Sequence, residues 1–323
     1  MHLAISLNIA AKNGQDVLSF DQIVAFVRKM EAAGFDMVFI SDSLASGEPS
    51  TSPFEATTLL AALATVTGSI GLVAGASTLA HQPYNLARRF ASLDIISHGR
   101  VGWNATMRQN PREAAKFSQP EGFGDEDFRR RAEEYIGIVR GLWQGWEADA
   151  LLFDKAGGRF HDPGRMHFLD HKGEFFSVRG PLNVARSPQD MPVLVMSSLS
   201  ESQFDFAASF ADVIVLDDVS PADAKSTGDD LRRLAATSGR RPSALKVLAA
   251  SLTGPGLTTD SLDRWLTTPG FDGINFTLPA DIPTTLDFTD RVLPELRRRG
   301  LTRSANAGAT LREHLGLGMG GAE

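Results

Sequence analysis

The chain has 323 residues, 42% hydrophobic and 22% charged, enough to bury a large core. A formal net charge of −7, with no basic run beyond the short arginine clusters at 129–131 and 297–299, excludes the electrostatic footprint of a nucleic-acid binder. The absence of cysteine excludes disulfides, thiolate metal sites and a cysteine nucleophile. No run approaches the roughly 18 apolar residues of a membrane span. The opening MHLAISLNIA reads as a strand rather than a leader, so the expectation is a cytoplasmic protein with no membrane or nucleic-acid partner.

In chain order, short apolar runs alternate with longer amphipathic ones. LAISLN (3–8) precedes a helix through FDQIVAFVRKMEAAG, where Phe20, Ile23, Val24 and Val27 recur at helical spacing and Gly34 is placed as a stop. MVFISD (37–42) precedes FEATTLLAALATVTG, IGLVAGAST (70–78) precedes YNLARRFASLDIIS, and VGWNAT (101–106) precedes a helix from about 126 to 145. VLVMSS (193–198), DVIVLDD (212–218), LKVLAASL (245–252) and FDGINFTLP (271–279) are each followed by a helical stretch. About eight strand-helix units is the number that closes a (β/α)₈ TIM barrel, expected here as a single domain over 1–323. A doubly wound sheet is the runner-up, but NIAAKNG after the first strand has no dinucleotide fingerprint. Residues 147–190 break the rhythm and form an excursion between the fourth helix and fifth strand, and 301–323 remain as a tail. His161, His167 and His171 in the excursion invite a metal reading, but Pro163 and Gly164 break any helix that could align them, and no metal is expected.

Sites in such barrels lie at the C-terminal ends of the strands. That selects Asn8, Asp42, Ser77, Thr78, Asn104, Thr106, Ser197, Ser198, Asp217, Asp218, Ser251, Thr253, Asn275 and Thr277. The set is rich in hydroxyls and amides and lacks the usual engines of hydrolysis, which points to a ligand that brings its own reactivity. Bland readings stand beside the functional ones. Asp42 fits a helix cap, Ser198 with Glu201 fits a capping box, and Trp103 fits a core aromatic.

PYNLARRFASLDIISHGRVGWN (83–104) resembles the luciferase-like flavin-dependent monooxygenases, in their nitrilotriacetate, EDTA and dibenzothiophene-sulfone branch. FISDSLA, SPFEATTLLAALATVTGSIGLVAGAST, RRAEEYIGIVRGLWQGWEADA, HKGEFFSVRGPLNV and TLREHLGLG extend the likeness over most of the chain. The resemblance implies reduced FMN supplied by a separate flavin reductase, molecular oxygen, a small organic substrate and a homodimer or higher homo-oligomer. It places the flavin ring near Asp42, Ser77, Thr78 and Asn104, and the phosphate at Ser198, Leu199 and Ser200. The apolar stripe Leu59, Leu60, Leu63 and Val66 offers a surface for assembly, or simply faces the barrel.

Three departures from the family pattern stand out. Asp125 and Arg129 occupy places where the family carries His and Tyr; Arg129, as a multi-donor cation, would take over an anion or peroxide contact, which with Asn104 makes the catalytic pair. MSSLSESQ replaces a glycine-containing phosphate turn, with Ser198 and Gln203 for two glycines. SLTGPG runs directly into TTDSLDRWL, without the family's long insertion. Two further readings therefore stay open: a catalytically silent subunit or binding protein, and an oxidoreductase using the deazaflavin F420.

Overall fold

Eight parallel strands close on one another in strict chain order in the computed structural model. They are β1 His2–Asn8, β2 Met37–Ser41, β3 Gly71–Ser77, β4 Val101–Thr106, β5 Val193–Ser197, β6 Val213–Asp217, β7 Lys246–Thr253 and β8 Gly273–Thr277. The structure describes residues 1–12, 17–42, 50–109, 114–117, 121–217, 219–253, 259–268, 270–277, 288–302 and 308–319. Asp218 and the 254–258 stretch of the shortened β7 connection lie outside them. The helices are α1 Phe20–Ala32, α2 Ala56–Val66, α3 Pro83–Ile96, α4 Asp125–Trp143, α5 Phe204–Phe210, α6 Pro221–Thr237, α7 Thr259–Thr267, α8 Leu293–Arg298 and α9 Leu311–His314. Among the described residues no helix is long and apolar enough to cross a membrane.

Alternation along the strands separates two apolar clusters. Leu3, Ile5, Leu7, Val38, Ile40, Leu72 and Trp103 face the helices. Ala4, Met37, Phe39, Val73, Val193, Val195, Val213, Val215 and Leu248 fill the interior. Trp103 is thus a core residue. Its indole N–H donates to the Ala76 carbonyl at 2.9 Å, and its ring sits 6.1 to 6.2 Å from Phe90, Tyr135 and Trp143. Leu59, Leu60 and Leu63 are buried in the same helix-facing cluster and Val66 is partly buried against it, so the α2 stripe packs on the barrel.

The SHGR sequence before β4 is a structural turn. His98 and Gly99 take φ of 58° and 86°, a region glycine enters without cost, and this brings Arg100 beneath α2. Its buried guanidinium donates to the carbonyls of Ala64, Thr67, Ile70 and Ser97 at 2.8 to 3.1 Å, closing the C-terminal end of α2, where carbonyls lack helical partners. Asp94, also fully buried, accepts from Val101 N at 3.0 Å, Gln189 Nε2 at 2.7 Å and the Ser187 hydroxyl, tying α3 and β4 to the end of the excursion. Burial pushes its carboxyl up to about 6, against the hydrogen bonds that lower it. Its folded value therefore exceeds its unfolded one, and the native state binds the extra proton between about pH 4 and pH 6. Asp94 thus costs stability as pH rises through that window. Asp94→Asn does not titrate, so its stability relative to the parent is expected to rise by up to about 3 kcal/mol between pH 4 and pH 7, measured by urea unfolding. A pH-independent difference would show that Asp94 is already ionised when folded.

The excursion wraps α4 as two antiparallel pairs, Leu151–Asp154 with Arg159–His161 and His171–Lys172 with Ser177–Val178. Glu134 of α4 anchors the second pair. It lies 2.8 Å from His171 Nε2 and accepts the Phe175 and Phe176 amides at 3.0 Å. His167 lies 2.6 Å from Glu147, and His161 packs edge-on against Trp146. No metal-holding cluster occurs among the described residues.

At the opposite end of the barrel, Leu311 and Leu315, in and just after α9, enter the interior cluster and plug its base. Gly71 makes room for Leu311. A β-carbon on Gly71 would collide with Leu311 Cδ1. Part of the tail is therefore a piece of the barrel floor.

Candidate functional site at the barrel mouth

The base is plugged and the lower interior apolar, so polar inward positions occur toward the strand ends. β4 carries Asn104 and Thr106 on its inward face; Asn104 lies beside Gly75 of β3 and Val195 of β5 in register. Ser197 Oγ donates to Asn104 Oδ1 at 3.0 Å, while Asn104 Nδ2 makes no hydrogen bond to the described residues. Across the barrel, Asn275 Nδ2 donates to Ser6 Oγ at 2.9 Å. A β-carbon on Gly75 would meet nothing nearer than the Ile40 carbonyl at 3.8 Å, so the space beside Asn104 is open.

At the β3 corner, the Ser77 hydroxyl accepts from Leu79 N at 3.1 Å, and Thr78 is fully buried. Its carbonyl accepts from Arg131 Nη1 at 2.8 Å, but its hydroxyl has no partner among the described residues. An orphaned buried hydroxyl costs desolvation energy unless a ligand meets it. The nearby Tyr135 hydroxyl is orphaned as well, and burial pushes that phenol up. Arg131 is sandwiched by aromatics, its guanidinium 4.7 Å from the Phe176 ring centroid and 5.3 Å from that of Phe123.

Asp42 follows β2, where its Oδ2 accepts the Ala56 amide at 2.9 Å. It thus supports the start of α2, whose N-cap is Glu55. Burial, reinforced by the charge of Glu55, pushes the Asp42 carboxyl up; burial, then Arg89, pushes the neighbouring His81 down. Asp42, Glu55, His81 and Arg89 form an ionic rim that strand-end reasoning found only through Asp42.

After β5 the chain departs from the expected capping box. Ser198 takes φ of 55°, not the extended backbone of an N-cap, and its N–H and hydroxyl both donate to Asp217 Oδ2, at 3.1 and 3.0 Å. The cap of the single helical turn Glu201–Gln203, which leads into α5, belongs to Ser200 and Gln203 instead. Gln203 Oε1 accepts the Ser200 amide at 2.9 Å, and Gln203 Nε2 reaches the Met107 carbonyl at the β4 end. Leu199 packs against the core, and the Ser200 hydroxyl lies 3.0 Å from that of Ser202.

The strands bring Ser77, Thr78, Asn104 and Ser198 to one end of the barrel, with Asp42 at the same rim. Arg129 is engaged along α4. Its guanidinium pairs with Glu126 and Glu133, both at 2.6 Å, and those carboxylates raise its pKa further. The cation that reaches a strand end is Arg131. Helical spacing could have found it, since Arg131 flanks the buried stripe Phe128, Ala132 and Tyr135, whereas Arg129 faces Glu126 and Glu133.

The luciferase-like monooxygenase family model matches residues 1–267. Nitrilotriacetate monooxygenase component A from Aminobacter aminovorans is 31% identical over 401 aligned positions, covering 90% of this chain and 88% of the relative. That alignment is longer than this chain of 323 residues, so the relative carries segments this chain lacks. One of the subunits of pristinamycin IIA synthase from Streptomyces pristinaespiralis is 36% identical over 301 positions, covering 91% of this chain and 88% of the relative. EDTA monooxygenase from Chelativorans sp. BNC1 shares the fold with a TM-score of 0.86 at 22% identity, with 98% of each chain covered. A match over most of the length, carried on a closed barrel with its polar residues at the mouth, makes this chain a member of the luciferase-like monooxygenase family.

Proposed function

We propose that the chain is the oxygenase of a two-component system, taking reduced FMN from a separate flavin reductase and oxidising a small organic substrate with molecular oxygen. The observation that carries the reading is the fully buried, orphaned Thr78 hydroxyl at a strand end, in a mouth where Asn104 offers an unused amide donor and Gly75 leaves open space. Asp42, Ser77, Thr78 and Asn104 would hold the ring, and Ser198, Leu199 and Ser200 the phosphate end. Reduced flavin, when bound, supplies the oxygen-activating chemistry. The residues of the chain bind and orient it and keep water from it, with Arg131 holding the β3 corner in place. In this reading Arg129 would have to leave two carboxylates to meet an anion, so Arg131 is the better placed cation. Homodimer formation rests on the family alone; light scattering at micromolar concentration tests it.

The silent-subunit reading has its own support in the Asp217 carboxylate at the β5 turn, and in a relative that is one component of a multi-subunit synthase. Anaerobic titration with reduced FMN and reduced riboflavin, followed by protein fluorescence, separates the two: the oxygenase reading requires saturable binding. Gly75→Val sharpens the test. A valine suits a strand and meets nothing nearer than 3.8 Å at its β-carbon, so the fold should survive, while its methyls fill the space beside Asn104. Flavin affinity is expected to fall by at least about tenfold with an unchanged circular dichroism spectrum. Undiminished binding by Gly75→Val would place the flavin elsewhere, and no binding of either reduced flavin by the parent would favour the silent subunit.

A further inference from the structure

The corner between β5 and β6 is occupied by the chain itself. Ser198 stands in the left-handed region, where a side chain is strained, and what holds it is a pair of hydrogen bonds from its N–H and its hydroxyl to one oxygen of Asp217. Asp217 is the last residue of β6. Val215, two residues earlier and on the same face, pairs in register with Ser197, so the carboxylate stands at the mouth directly beside the turn. Both donors of Ser198 are thus taken by a carboxylate of the chain itself. Among the described residues no Lys or Arg pairs with Asp217, and the turn carries a second carboxylate, the exposed Glu201, while its Ser200, Ser202 and Gln203 side chains are bonded to one another or to backbone.

From this we infer that Asp217 sets flavin selectivity, so that the chain binds a flavin whose side chain ends in a free hydroxyl at least as tightly as one ending in a phosphate ester. The inference rests on the reading that the flavin tail reaches Ser198 to Ser200. A phosphate monoester brings a charge of about −1.5 to −2 and only acceptor oxygens. Beside Asp217 it meets like charge and finds the Ser198 donors already used. A ribityl hydroxyl can donate to the same carboxylate. The resulting protein holds flavin by its ring and its hydroxyls, and the phosphate adds nothing to affinity. Exchange of a glycine for a residue that needs an anchor, Ser198, and the supply of that anchor by Asp217 are then one device.

The test is anaerobic titration of the parent, Asp217→Asn and Asp217→Ala with reduced FMN and with reduced riboflavin, at low and high salt. The parent is expected to bind riboflavin as tightly as FMN or more tightly. Asp217→Asn keeps an acceptor for Ser198 and adds an N–H donor, so it should tighten FMN by about tenfold. Its riboflavin affinity should stay within about twofold, and the gain for FMN should shrink as salt screens the charge. Asp217→Ala, which removes the charge without adding a donor, should move FMN in the same direction by less, and circular dichroism confirms that both variants are folded. A parent that binds FMN tenfold more tightly than riboflavin overturns this inference alone, as does an Asp217→Asn variant whose two affinities change equally. Absence of binding by either flavin overturns the flavin reading and this inference with it.

Discussion

Replacement of Asn104 by leucine is expected to cut product formation at limiting reduced flavin by about ten- to a hundredfold in the presence of a flavin reductase, oxygen and a small organic substrate. Leucine matches asparagine in length and branching, so the substitution exchanges an amide for methyl groups without enlarging the side chain much. The amide lies on the inward face of β4, one strand from the open space at Gly75, and its Nδ2 has no acceptor among the described residues. Loss of a hydrogen bond from a buried donor to a bound ligand costs about 1–3 kcal/mol, roughly ten- to a hundredfold in affinity. The Ser197 hydroxyl loses its acceptor at the same time, which removes one side-chain bond between β5 and β4 while the backbone ladder remains. Folding should be retained, because Asn104 belongs to neither apolar cluster. Ser197→Ala is the control, since it breaks the same inter-strand bond but leaves the amide free to face a ligand. Its effect should be small. Unchanged reduced-flavin affinity and turnover in Asn104→Leu would remove Asn104 from the site and carry the balance toward a silent subunit.

The barrel was legible because each strand is a short apolar run and each helix a long periodic one, a contrast that survives without any tertiary information. VGWNAT matches β4 residue for residue, and the helix expected from about 126 to 145 is observed from Asp125 to Trp143. Alternation also separates Trp103 from Asn104, which sends one to the helices and the other to the interior. Three features were not legible. The floor helix α9 has four residues, too few for a periodic signature, and its partner Asp212 lies about 100 residues away in sequence. The role of Asp217 depends on the adjacency of two strand ends, which a strand list does not encode. Which of three consecutive arginines faces the barrel depends on angles of 100° per residue, and a finer use of the helical period would have chosen Arg131 over Arg129. The family resemblance supplied the expectation of a flavin and its expected positions; the geometry supplied the reason to test Asp217 and drew attention to Arg131 beside them.

The largest loss of stability is expected from Arg312→Leu. Arg312 sits on α9 beneath the barrel and is almost fully buried, as is its partner Asp212, with side-chain exposures of 4% and 8%. Its guanidinium meets the carboxylate at 2.7 and 3.2 Å, and Nε donates to the Met191 carbonyl at 3.1 Å. Asp212 also accepts the Leu194 amide at 2.9 Å, so one carboxylate joins the floor helix to the start of β5. Substituting leucine removes the cation but leaves the anion buried with a single amide donor, and breaking a buried pair in this way costs about 3–5 kcal/mol. Leu311 and Leu315 would then be held in the barrel base by packing and by the backbone bonds from Leu311 N to the Gly99 carbonyl and from the residue 312 amide to Gln189, without the ion pair. Most of the cost is the stranded charge rather than the attraction itself, and that distinction is measurable. Adding Asp212→Asn to Arg312→Leu keeps an acceptor for the Leu194 amide and removes the charge, so the double variant should recover a large part of the loss seen by urea unfolding. A single variant within about 1 kcal/mol of the parent would mean that α9 contributes little to the barrel. A double variant no more stable than the single one would mean that the geometry of the arginine, and not the neutralisation of Asp212, holds the floor in place.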